Sequence, residues 1–99
     1  MRKIEAEMLN AIANKKNWKK DNTRVLIRKA RIGDGLIAHI YLHDNHLASA
    51  FLDLSAVSVN TETLRQWPTP TTKSRLRALG VHVETIKGKT YIDDELITG

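Results

Sequence analysis

Cysteine is absent, which removes disulfide bonds, thiolate metal sites and a cysteine nucleophile, and fits a reducing compartment. Long apolar runs are absent too. Nothing approaches the roughly 18 consecutive apolar residues that a membrane span needs, and the opening "MRKIEAEMLN" lacks the apolar core of a signal peptide. A soluble, cytoplasmic protein with no membrane partner is therefore expected. Catalytic constellations are missing as well: Ser49, Ser55, Ser58 and Ser74 have no spacing that pairs one with a base, and no acidic pair stands out from surface charge. The expectation is a protein that is not an enzyme and takes no cofactor. His43, Asp44 and His46 carry zinc-ligand groups, but ligands packed into one tight hairpin point apart, so the stretch reads as a turn rather than a metal site.

What is present is basic. Sixteen lysines and arginines against 11 aspartates and glutamates give a formal charge of +5, which favours phosphorylated or polyanionic partners and decides nothing about fold. Ninety-nine residues suit one small domain, 1–99, with one modest core.

Ile4, Met8, Ala11 and Ile12 share one helical face, Leu9 widens it, and Glu5 and Glu7 lie near the positive helix start. The end of this amphipathic helix, residues 15–20, carries four lysines around Trp18. They read either as cations complementing the helix C-terminus, with Trp18 closing the core, or as an anion-binding surface. From Asn22 the texture turns β-branched. "TRVLIRKA" (23–30), a turn at Gly33-Asp34-Gly35, "LIAHIYL" (36–42) and "HLASAFL" (46–52) predict a three-stranded antiparallel meander, with Asp44-Asn45 as the central pair of the second turn. "VSV" (57–59) reads as a short fourth strand.

A helix through "TETLRQW" (61–67) follows, capped by Asn60 or Thr61 and ended by Pro68. Thr71 is expected to cap "TKSRLRAL" (72–79), and Gly80 sits where a helix end favours a left-handed residue. On this helix Thr72, Leu76 and Leu79 share a face, Arg75 flanks one side, and Lys73 and Arg77 line the other. "VHVETI" (81–86) and "KTYIDDEL" (89–96) then form a hairpin around Lys87-Gly88, with Tyr91 and Ile92 on opposite faces. The fold expected is α+β: an N-terminal amphipathic helix on an antiparallel β-sheet of about five or six strands, with a short helical pair before a C-terminal β-hairpin. Exposed strand edges make a homodimer an expectation as well.

The stretch "WPTPTTKSRLRALG" (67–80) is the most suggestive in the chain. A helix start offers unpaired N–H groups and partial positive charge, so Trp67, Thr69, Thr71, Thr72, Lys73, Arg75 and Arg77 are the candidate ligand-binding residues, with phosphate the anion they suit. Removing Lys73 and Arg75 together is then expected to abolish binding and spare the fold. Trp67 reads either as core or as a stacking platform, and the threonines and cations either as a site or as a cap and a solvated face.

The pair "YLHDNHLA" (41–48) and "WPTPTTKSRLRALG" resembles a pattern in small early or counter-defence accessory proteins of tailed bacteriophages, which carry an HGN-x-IA-like turn and a WPT-x-TTK-x-RL motif. The stretches "MRKIEAEMLNAI" and "NWKKDNT" resemble their N-termini. A more distant resemblance, on the threonine–lysine–arginine stretch, is to phage anti-Thoeris sponges, and it implies a cyclic ADP-ribose type of ligand. Three functions stay open: a counter-defence or host-takeover protein binding a phosphate-bearing ligand such as a nucleotide signal; a DNA-binding module of winged-helix order; and an inhibitor that sets its basic surface against a host defence protein.

Overall fold

Met8 and Ala11 bury the apolar face of helix α1 (Lys3–Ala13) against Val25, Ala38 and Ile40 of a sheet. The computed structural model describes residues 1–31, 33 and 35–98. Helix α1 starts where the Glu5 carboxylate accepts the Arg2 N–H, half of a capping box. It stops earlier than the sequence suggests. Lys15 takes φ +54°, its N–H reaches the Ile12 carbonyl, and the Lys16 N–H reaches that of Ala11; this is a Schellman cap made without glycine. Only Lys15 and Lys16 of the lysine-rich stretch therefore stand at the helix end. Trp18–Lys20 forms strand β1 instead, and the Lys20 ammonium pairs with Glu7 at 2.9 Å.

Strands β1, β2 (Thr23–Lys29), β3 (Leu36–Leu42), β4 (Asn45–Phe51) and β5 (Ala56–Val59) form one antiparallel sheet in chain order. Period-two alternation places Val25, Ile40, Ala48 and Val59 in one cross-strand row facing the helices. The turn expected at Gly33-Asp34-Gly35 includes Asp34, outside the described residues; Gly33 has φ +85°. The next turn is shifted by one residue from the expected pair. His43 and Asp44, with φ +51° and +63°, are its central residues, and Asn45 already pairs with Leu42. The register then slips at Leu47, which leaves both Leu47 and Ala48 fully buried.

Helices α2 (Thr61–Gln66) and α3 (Pro70–Ala78) separate this sheet from a second one. The second sheet holds β6 (Val83–Ile86), β7 (Lys89–Ile92) and β8 (Glu95–Thr98). Gly80 at φ +92° ends α3 as expected, with the Val81 N–H reaching the Leu76 carbonyl. Lys87-Gly88 makes the β6–β7 turn. The segment expected as one strand, 89–96, is broken by Asp93-Asp94, both at positive φ, into a second hairpin. The α+β fold thus stands, with eight strands in two sheets among the described residues, and Leu64 of α2 and Leu76 of α3 share one core cluster with Leu47 and Ala48 of β4 and Val83 of β6.

Asn-Gly suits both central positions of a turn with two positive φ values better than His43-Asp44 does. Placing Asn-Gly there is expected to raise stability by about 1 kcal/mol, while His43→Val should lower it by roughly 1–2 kcal/mol. Equal melting of the two variants would count against this turn.

Candidate functional site

The corner between α2 and α3 is built by its caps. The Asn60 side chain accepts the Thr63 N–H and starts α2. Trp67 ends it, and Thr69 caps α3 by accepting the Thr72 N–H at 3.2 Å. The cap expected at Thr71 therefore lies two residues earlier, because Pro70, which has no N–H and a pre-set φ, fits the first helical position. Thr71 is left in the first turn with its hydroxyl free to accept from the Arg2 guanidinium, 3.4 Å away.

These caps open a cleft of about 430 Å³. Trp67, Thr69, Thr71 and Thr72 line one side, with Thr63 of α2 and with Leu42, His43 and Asn45 of the β3–β4 hairpin opposite. Trp67 is 52% exposed, so its ring is not part of the core. Thr72 is buried and its hydroxyl meets that of Thr69 at 2.9 Å. Four of the candidate residues are therefore brought together.

The three candidate cations are not. The Lys73 ammonium donates to the Thr85 hydroxyl, and Arg77 Nε donates to the Val83 carbonyl. Arg75 does not flank an open face: it is 3% exposed and its guanidinium donates to the Glu5 carboxylate at 2.7 Å, to the Thr23 hydroxyl and to Asn22. Its removal is therefore expected to cost stability rather than to spare the fold. Burial pushes the Glu5 carboxyl upward, but hydrogen bonds from Ser74, Arg75 and the Arg2 N–H, together with the Arg75 charge, outweigh it and hold the group below its ordinary value. Arg2, which sequence reasoning missed, reaches the cleft through the hydroxyl of Thr71.

A larger cleft, about 570 Å³, lies between β5 and the second sheet. Its lining includes Asp93 and Glu95 as well as Arg65 and His82, so it suits an anion less well. Among the described residues no three of His, Cys, Asp and Glu gather into a group that could hold a metal ion. Among the described residues no helix is long and apolar enough to cross a membrane.

Sequence reasoning also missed a hydrogen-bonded chain on the far face of the first sheet. Because Asn60 Oδ1 is committed to the α2 cap, its Nδ2 faces His46 Nδ1 at 3.2 Å. His46 Nδ1 must accept, so Nε2–H donates to Ser49 Oγ at 3.0 Å, and the Ser49 hydroxyl donates to His39 Nδ1 at 2.9 Å. Burial, then the neighbouring His39, pushes the His46 pKa below its ordinary 6.5. A folded pKa below the unfolded one means stability is complete above about pH 6.5 and falls as pH drops towards the folded value. Melting wild type and His46→Gln between those limits should show the loss in wild type and a smaller one in the variant; parallel profiles would exclude His46 as the source.

A family described as Kyanoviridae Gp96 protein matches residues 1–98. No curated protein and no solved structure matches the chain.

Proposed function

The chain belongs to the Kyanoviridae Gp96 protein family, a phage family, and from that premise we propose that it is a non-enzymatic accessory protein of the host cytoplasm, directed at counter-defence or host takeover, that holds a nucleotide-type, phosphate-bearing ligand in the α2–α3 cleft. The observation that carries the reading is the half-exposed Trp67 ring beside a cleft lined with threonine hydroxyls. An indole face takes a base by stacking. The hydroxyl and backbone N–H of Thr71 at the start of α3 then suit a phosphate, with Arg2 supplying charge. The resemblance of the threonine–lysine–arginine stretch to cyclic ADP-ribose sponges favours the same ligand class, although the contacts fall to the threonines and Arg2 rather than to Lys73, Arg75 and Arg77.

A winged-helix use of α3 is weaker. Helix α2 has six residues, Arg75 is buried against Glu5, and the exposed Arg77 has its Nε on the Val83 carbonyl.

The test is tryptophan fluorescence in a Trp18→Phe background, titrated with mononucleotides, cyclic nucleotides and inorganic phosphate. Saturable quenching by a nucleotide is expected, with affinity reduced roughly tenfold or more in Thr71→Val, as one lost hydrogen bond to a charged group implies. If no nucleotide alters the Trp67 signal and a host protein instead forms a stable complex with the chain, the inhibitor function takes its place.

A further inference from the structure

Met8 of α1, Leu64 of α2, Leu76 of α3 and Val83 of the second sheet cluster on the Val25, Ile40 and Ala48 side of the first sheet. Among the described residues no helix covers the opposite side. There Arg24, Tyr41 and His46 form one cross-strand row, and Leu26, His39 and Ser49 the next. The Arg24 guanidinium lies 4.8 Å from the Tyr41 ring centre, and Tyr41, His46 and His39 form a contiguous run of rings with centres 5.4 and 5.5 Å apart. Tyr41, His39 and His46 all stay partly exposed.

The charge on this face has one sign. Lys19 stands directly opposite Arg24 in the β1–β2 pairing, and Arg28 lies two positions further along the same face of β2. None of the strand positions on this side is Asp or Glu. Asp44, in the turn, is 3.9 Å from Arg24 and three-quarters exposed, too solvated to offset much. Like charges directly opposite in a sheet repel, and Arg24 Nε is buried with no hydrogen-bond partner. The repulsion is relieved by an acceptor-rich anion laid across the strands.

We propose that this open sheet face binds single-stranded nucleic acid, the bases stacking on the Tyr41 and histidine rings and the phosphates lying along Lys19, Arg24 and Arg28. Rings beside cations are what an unpaired strand needs, since every base has a face to stack and every linkage a charge. A duplex hides its bases from such a platform. A second copy of the chain would bring three cations against three cations. The site is separate from the Trp67 cleft and stands whether or not that cleft binds a nucleotide.

Fluorescence anisotropy of labelled oligothymidylate, oligouridylate and a duplex of matched length, over a salt series, tests it. Either single strand should bind more tightly than the duplex, and the tighter of the two identifies DNA or RNA as the source. Tyr41→Ala should weaken binding roughly tenfold, the effect of losing one stacked base. Arg28→Gln, at an exposed position where folding is not at stake, should make the logarithmic salt dependence shallower by about 0.7, one single-strand phosphate contact. Trp67→Ala should change neither. No binding at low salt, a preference for duplex, or wild-type affinity and salt slope in Arg28→Gln would overturn the proposal. So would a wild-type dimer that Arg28→Gln alters, which would give the face to a second copy.

Discussion

Replacing Arg75 by alanine is expected to lower stability by about 3–5 kcal/mol, the effect of stranding one charge of a buried pair. Its guanidinium and the Glu5 carboxylate are both less than a twentieth exposed and 2.7 Å apart. Without Arg75, Glu5 keeps the Ser74 hydroxyl and the Arg2 N–H but loses the charge that offsets its burial. For a domain of this size the loss corresponds to a fall in melting temperature of roughly 12 °C or more. Replacing both partners, Glu5→Leu with Arg75→Met, should recover much of it, because the double variant leaves neither charge buried alone. A double-mutant cycle by urea denaturation measures this. The pair also sets an acid limit. Since the Glu5 carboxyl is held below its ordinary 4.5, its contribution is whole above that pH and is lost as pH falls through the folded value. A single Arg75→Ala loss below about 1 kcal/mol would show that the pair contributes no more than a surface bridge does.

Leu76→Ala should rank close behind, at about 3 kcal/mol within the 2–5 kcal/mol range of such truncations. Leu76 is fully buried and packs with Leu42, Leu47, Leu64 and Val83, so it touches both sheets and the other short helix. A cavity there has no flexible side to collapse from. The measurement is a shift of the urea midpoint with unchanged slope. Trp67→Ala, by contrast, removes a half-exposed ring and should stay within about 0.5 kcal/mol. If the two variants cost the same, the second sheet does not dock on Leu76 as described.

The legible parts of this fold are those governed by neighbours in sequence. The apolar spacing of α1, the alternation of β2 and β3, Gly80 and Lys87-Gly88 each carry a local signal that the structure keeps. The α1 stop was hidden because Lys15 fills a position that glycine usually marks. The β3–β4 turn was ambiguous by one residue, since His43, Asp44 and Asn45 all tolerate positive φ; the observed pair is accompanied by the register slip at Leu47, three residues after Asp44. The Thr69 cap could have been found from Pro70 beside it.

At the candidate site the threonines and Trp67 were legible, because caps and turns are local. The cations were not. A lysine or arginine looks the same in sequence whether it faces solvent or a carboxylate elsewhere in the chain. One hint existed: Glu5 falls on the same helical face as Met8 and Ile12, and a carboxylate in an apolar stripe asks for a buried cation. Nothing local says that the cation is Arg75.

The separation of those two partners has a temporal consequence. Strands β1 to β5 each pair with the next in the chain, so every ladder closes over a short loop. The Glu5–Arg75 contact spans 70 positions and can form only after α3 has left the ribosome. A nascent chain would hold its first sheet, with α1 packed on it, before Glu5 has a cation to pair with. Substitutions in the β3–β4 turn should then act on the folding rate, and those at Glu5 and Arg75 on the unfolding rate. The ion pair would serve as a latch, setting how long the folded protein lasts rather than how fast it is made.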